Sequence, residues 1–138
     1  MVESRRSAVL AYKRMRKRAP KGWRRVALTE DGILVCSPAN GKVRKKAFTK
    51  KPGRGEKRGD MLSFVWGTYP DVVFVKYPRI WDRPKVRAHE LEHICQQREL
   101  GPELFSQLYT WCEQQTGYGR NPFEIAARKA EKRVKRHT

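Results

Sequence analysis

Long apolar runs are missing from this chain of 138 residues. No charge-free stretch is longer than Met61–Pro70, which includes Gly67 and Thr68 and falls short of the roughly 20 apolar residues that a membrane-crossing helix needs. No apolar segment follows the basic start, so neither a secretory signal nor a membrane anchor is expected. Cysteine is scarce. Cys36, Cys95 and Cys112 form no C-x-x-C pair, which argues against a disulfide-framed secreted miniprotein and fits a reducing, cytoplasmic setting. Cys95 and Cys112 fall in helix-like apolar patterns, so all three cysteines are expected to be small structural hydrophobes. Hydrophobic residues make up only 38% of the chain, below the roughly 45–50% of an average globular domain. One modest core is therefore expected, without the whole chain packed around it.

Negative charge is also in short supply: 14 Asp+Glu stand against 32 Lys+Arg, for a formal net charge of +18. The imbalance is uneven, with a net of +14 over residues 1–60 and +4 over residues 61–138. Two runs carry it, Tyr12–Arg25 and Gly41–Arg58. The second contains Pro52, Gly53 and Gly55 and is expected to be a loop. Such runs attract polyanions without reading sequence, and do so with strong salt dependence. The candidate contacts are Arg14, Arg16, Lys17, Arg18, Arg24, Arg25, Lys45, Lys46, Lys50 and Lys51, with Tyr12 and Trp23 placed to stack on bases. The partner is DNA, RNA or an acidic protein surface; a solvated basic tail is the plainer alternative.

The coarse pattern predicts a basic N-terminal arm over 1–22, with one helical stretch over Ser7–Arg18, and one domain over 23–138 with a basic loop at 41–60. Trp23–Leu28 and Gly32–Ser37 are short apolar runs around Asp31-Gly32, a strong hairpin signal. Met61–Trp66 and Val72–Tyr77 repeat the arrangement around the turn Gly67–Asp71. A small, mostly antiparallel sheet of three or four strands is expected. Asp82 and Pro84 then open a helix that runs to Leu100, where Gly101-Pro102 stops it. A second helix carries Leu104, Phe105, Leu108, Trp111 and Cys112 on its apolar face and ends at Gly117. Asn121-Pro122-Phe123-Glu124 opens a third, through about Arg136, with Ile125, Ala126, Ala130 and Val134 inward. Sheet first and three helices after makes the domain α+β.

Within the first of these helices lies His89-Glu90-Leu91-Glu92-His93, an H-E-x-x-H motif. Two histidines at i and i+4 stand one turn apart on one face, where both imidazoles reach a single Zn²⁺. Glu90 then sits beside the metal as the general base of a hydrolase. Composition alone would produce the pattern in roughly one such chain in 200. A catalytic zinc needs a third protein ligand, for which Glu99, Glu103, Glu113, Glu124, Glu131 and His137 are the candidates. Glu124 is preferred because it opens a helix that can fold back on the first. Glu131, two turns along the same face, is the fallback. Asn121 and Glu124 also make a capping box, in which Glu124 would only serve the helix end.

The run H-E-L-E-H-I-C-Q-Q-R-E-L-G, a second amphipathic helix and then G-Y-G-R-N-P-F-E-I-A-A-R resemble a group of small Glu-zincin-type zinc metallopeptidases of bacteria and their phages. The resemblance covers about residues 61–136. It implies a zincin-like fold, His89, His93 and Glu124 as zinc ligands, and Glu90 as base. Members of the group often continue N-P-F-E-x-E-A, where this chain has Ala126. Tyr118 and Arg120, just before the third helix, are candidates for stabilising an oxyanion.

The leading expectation is a zinc-dependent hydrolase acting on peptides or proteins. The alternative is a basic structural or nucleic-acid-binding component of a larger assembly, such as a phage particle, that retains a zincin scaffold. Metal-dependent DNA hydrolysis has little support, because no second carboxylate cluster accompanies the motif.

Overall fold

The computed structural model describes residues 18–49, 61–66 and 69–134. In chain order it contains β1 (Trp23–Leu28), β2 (Leu34–Pro38), α1 (Gly41–Phe48), β3 (Ser63–Val65), β4 (Val72–Val75), a 3-10 helix (Pro78–Asp82), α2 (Pro84–Leu100), α3 (Pro102–Thr116), a short 3-10 turn (Tyr118–Arg120) and α4 (Pro122–Lys132). Among the described residues the architecture is α+β: one four-stranded mixed sheet with four α-helices. No helix among the described residues is long and apolar enough to cross a membrane.

The sheet order is β1-β2-β4-β3. The two expected hairpin-like pairs, β1 with β2 and β3 with β4, are antiparallel. The central pair, β2 with β4, is parallel, which the expected mostly antiparallel sheet did not include. The reason is topological: α1 and β3 intervene, and the chain returns to lay β4 alongside β2 in the same direction. A parallel centre requires both faces to be covered. Every residue of β2 and β4 is accordingly buried. Ile33, Val35, Val73 and Val75 face one side with Ile80, Trp81 and Ile94, where α2 packs. Leu34, Cys36, Val72 and Phe74 face the other with Phe48 of α1.

The helix α1 corrects the expectation of a loop from residue 41. Asn40 caps it, its side-chain oxygen accepting from Val43 N–H at 2.9 Å. Lys45 and Lys46 suit its C-terminal turn, and Phe48 at 2% exposure anchors it to the sheet. Trp23 is likewise no free stacking platform: its ring packs 4.6 Å from Phe74 and 6.0 Å from Phe48. Arg18, Arg24, Arg25, Lys45 and Lys46 are exposed. Tyr12, Arg14, Arg16, Lys17, Lys50, Lys51, Pro52, Gly53, Gly55 and His137 lie outside the described residues, as do nearly all of the predicted arm helix and positions 135–136 of the predicted third helix, which ends at Lys132.

The helix limits follow local chemistry closely. Pro84, Pro102 and Pro122 each open a helix, a position where the missing N–H costs nothing. Gly101 (φ 89°) and Gly117 (φ 77°) close α2 and α3 with backbone angles that side chains disfavour. Asp82 closes the 3-10 helix rather than capping α2, whose N-cap is Arg83. The inward faces differ from expectation. Of the predicted apolar face of α3 only Phe105 is buried, while Leu104, Leu108 and Trp111 are exposed. In α4, Ile125 is exposed and the buried positions are Glu124 and Ala127. Cys36 is buried as expected, but Cys95 is exposed and Cys112 partly so. Helical periodicity marks a face without saying whether a neighbour covers it.

Gln97 joins α2 to the turn before β4. At 1% exposure, its Oε1 accepts from Asp71 N–H at 2.9 Å and its Nε2 donates to Trp66 O at 3.4 Å. Arg98 reinforces the join, donating to Asp71 Oδ1 at 2.7 Å and to the Asp31 backbone carbonyl at 2.9 Å. Gln97→Ala would leave two part-buried backbone groups without their partner and is expected to cost about 1–2 kcal/mol, measurable by urea denaturation. Arg98→Ala, at an exposed pair, should cost less than about 1 kcal/mol.

Candidate metal centre

Five side chains of α2 are buried: Glu90, His93, Ile94, Gln96 and Gln97. Only Ile94 is apolar. A helix that turns its polar groups inward has spent its core face on something other than packing, a local inconsistency that commonly marks a functional site. What faces His93 and Gln96 is α4. Its Glu124, 2% exposed, accepts on one carboxylate oxygen, Oε1, from His89 Nε2 at 3.0 Å and from His93 Nε2 at 2.9 Å. The ligand atoms of the three residues lie within 4.8 Å of one another.

Each histidine is held from behind. His89 Nδ1 lies 3.0 Å from Glu131 Oε2, and His93 Nδ1 lies 2.9 Å from Gln96 Oε1. The Gln96 amide is oriented in turn by its Nε2 donating to Phe123 O at 3.1 Å, which leaves Oε1 for the imidazole. Both rings thus keep Nδ1–H as donor and direct Nε2 at Glu124, the arrangement in which metal-binding histidines are usually set. Phe105 and Tyr109 of α3 pack against His93. Tyr109 OH donates to Glu124 Oε2 at 3.2 Å, and the Tyr118 hydroxyl also hydrogen-bonds Glu124.

The electrostatics follow from burial and pairing. Burial alone would raise Glu124, but hydrogen bonds from His89 and His93 outweigh it and hold the carboxyl well below its usual range. Burial opposes the charge of His89, yet Glu124 and Glu131 on either side push it up to about 9. His93 is raised by Glu124 against the same opposition. With carboxylates at both nitrogens, His89 in the metal-free cluster is an imidazolium. Burial pushes Glu90 up to about 7, with His93 and His89 pulling the other way. Burial raises Tyr109 and Tyr118, helped by the Glu124 charge, so both remain phenols.

The residues fit a metal ion on three counts. Tetrahedral zinc with bonds of 2.0–2.2 Å spaces its ligand atoms by about 3.3 Å, a few tenths of an ångström beyond the Nε2–Oε1 distances here. A divalent ion that displaces the protons on the two Nε2 atoms leaves the charge of the cluster unchanged. Glu90, 2% exposed, has one oxygen 4.0 Å from His89 Nε2 and the other, Oε2, buried with no hydrogen-bond partner. An orphaned buried carboxylate oxygen is costly in a site of protein alone.

Of the sequence candidates, His89, Glu90, His93 and Glu124 are brought together. The capping-box alternative does not describe Glu124: Asn121 caps α4 through Phe123 N–H at 3.0 Å, while the Glu124 carboxylate goes to the histidines. Ala126 takes no part. Glu131 supports His89 from behind rather than supplying the third donor. Tyr118 reaches the cluster, but Arg120 is exposed; the guanidinium over the Tyr118 ring is that of Arg128, at 6.0 Å. Sequence reasoning missed Gln96 and Tyr109. Gln96 follows His93 by three residues, a same-face spacing that could have been noticed; Tyr109 comes from another helix and left no local signal. No family model, curated protein or solved structure matches the chain, so the site stands on its own geometry.

Two outcomes follow. Because His89 is raised from 6.5 to about 9, its stabilisation is complete below pH 6.5 and lost as pH rises through about 9. The chelator-treated chain should therefore melt lower at pH 9 than at pH 6, whereas metal binding should strengthen with pH and release about two protons near neutrality, readable by calorimetry in buffers of different ionisation heat. Glu131→Gln and Gln96→Ala should each weaken metal affinity by about 10–100-fold without abolishing it, measured by competition with a chromogenic chelator.

Proposed function

We propose that this chain is a zinc-dependent hydrolase whose substrates are peptides or proteins. The observation that carries the reading is the convergence of His89, His93 and Glu124 beside a buried glutamate with a free oxygen. His89 Nε2, His93 Nε2 and the Glu124 carboxylate would hold the ion. Two imidazoles and one carboxylate are the donor set of several zinc peptidases, whereas magnesium and calcium sites are built from oxygen ligands. When bound, zinc would polarise the scissile carbonyl and lower the pKa of a water molecule. The likeness of H-E-L-E-H and N-P-F-E to Glu-zincin peptidases supports the same assignment.

Glu90 is the proton carrier in this reading. Its carboxyl, pushed up by burial to about 7, is a stronger base than an ordinary glutamate, which favours proton transfer near neutral pH. It would accept a proton from the attacking water and return it to the leaving amine. Tyr118, kept protonated, supplies an O–H beside Glu124 for a developing oxyanion. Substrate would approach from the His89 side, since His89 keeps 16% of its side chain exposed against 6% for His93 and 3% for Glu124. Phe105 and Tyr109 close the side behind His93.

Elemental mass spectrometry of the purified chain should find near one zinc per molecule, lost in His93→Ala and reduced in Glu124→Ala. Glu90→Gln should keep its zinc while peptide hydrolysis falls about 100-fold or more. A chain that takes up no zinc when the metal is added back, or a Glu90→Gln protein of full activity, would sink the proposal.

A further inference from the structure

The ring of Tyr77, just after β4, gathers three cations from three parts of the fold. The guanidinium carbon of Arg44, on α1, lies 4.7 Å from the ring centroid, and that of Arg79, in the 3-10 helix, 4.9 Å. The Lys76 ammonium is 5.9 Å away. Arg44 is held further by its Nε, which donates to Lys76 O at 3.4 Å. Beside this group opens a cavity of about 240 Å³ lined by Gly41, Arg44, Lys45, Phe48, Thr49 and Lys76. Among the described residues, no carboxylate pairs with Arg44, Lys45 or Arg79. Arg44 and Arg79, held against one ring with no described carboxylate paired to either, repel one another, a cost that a bound anion removes.

We propose that the groove between α1 and the segment after β4 binds the sugar–phosphate backbone of a nucleic acid. Guanidiniums seated against an aromatic ring are pre-oriented, and their planar forks match phosphate oxygens two at a time. The cavity is smaller than the roughly 300–1,000 Å³ of small-molecule clefts, so it suits one phosphate with its sugar rather than a whole nucleotide. Phe48 provides the apolar wall that a sugar needs and a lone anionic side chain does not. With guanidiniums against Tyr77, the ring is engaged by cations and offers no platform for a base. Binding is therefore to the backbone and indifferent to sequence. The basic character continues along the chain, since residues 50–60 hold five more Lys/Arg against Glu56 and Asp60, in keeping with a ligand whose charge repeats at every nucleotide.

The groove is separate from the metal centre. Phe48 anchors α1 on one face of the sheet and Ile94 anchors α2 on the other. The sequence pointed to Lys45 and Lys46 as polyanion contacts, but Arg44, Lys76 and Arg79 are added by the fold alone.

The test is fluorescence anisotropy on the full chain with a labelled single strand of about 20 nucleotides and its duplex, across salt from roughly 50 to 300 mM. Arg44→Gln/Arg79→Gln should weaken binding about tenfold at moderate salt and flatten the salt slope by about one to two. Lys129→Gln/Lys132→Gln on α4, which removes equal charge elsewhere, should change it by less than about twofold. Equal loss in both double variants, or no loss in the first, would overturn the proposal. So would polyglutamate of matched length binding as tightly and with the same dependence on Arg44 and Arg79, which would assign the groove to an acidic protein. Should the first double variant melt early, Arg79→Gln alone, at an exposed position, carries the same comparison.

Discussion

One carboxylate oxygen, shared by two imidazoles from a neighbouring helix, is the interaction on which the helical half of the molecule depends. Glu124 Oε1 receives His93 Nε2 at 2.9 Å and His89 Nε2 at 3.0 Å. To bring it there, α4 must fold back along α2, and the turn at Gly117 and the cap at Asn121 serve that return. The supports follow from the same requirement. Glu131 and Gln96 fix the far nitrogens, and the tyrosines on α3 and the turn before α4 close around the carboxylate. Removing any one partner leaves a buried charge exposed to the low-dielectric interior, where it costs most.

The sheet and the helices divide the work. The sheet side of the core is apolar and ordinary, with valines, isoleucines and phenylalanines filling both faces of β2 and β4. That packing makes α2 a rigid platform, because Ile94 docks on the sheet and Gln97 ties the helix to the turn at Asp71. Rigidity there is what a pre-organised site needs, since histidines fixed by their surroundings lose little freedom on binding an ion. The polar face of α2 would be destabilising if it were not matched group for group. Glu90 Oε2 is the one buried side-chain atom among the described residues without a partner, and it lies beside the cluster.

Charge is organised by the same layering. The acids that matter are drawn into the cluster on the α2 side of the sheet, where they neutralise the histidines. The cations of α1 and of the segment after β4 are left against an aromatic ring. A strongly basic chain can keep a cluster able to hold a metal ion because the local balance, not the net charge, sets the potential there.

Much of this was legible in the sequence. Prolines at first turns placed the starts of the three long helices, and Gly101 and Gly117 the ends of the first two, because those signals act through backbone geometry within one turn. The third, with no glycine after it, ends at Lys132, short of the expected Arg136. The i, i+4 histidines with Glu90 marked the site for the same reason. Sequence by itself could not decide between Glu124 as helix cap and as partner of the histidines, since both demand glutamate three residues after Asn121. Nor could it tell that β4 returns parallel to β2, that residues 41–48 coil into a helix, or that Leu104, Leu108, Trp111 and Ile125 face outward. These depend on which surfaces meet, and only the tertiary structure sets that. What the sequence determined was the local geometry of each element and the chemistry of one helix face. What the tertiary structure decided was which carboxylate that face meets, because the encounter joins residues some 30 positions apart through packing that no local pattern encodes.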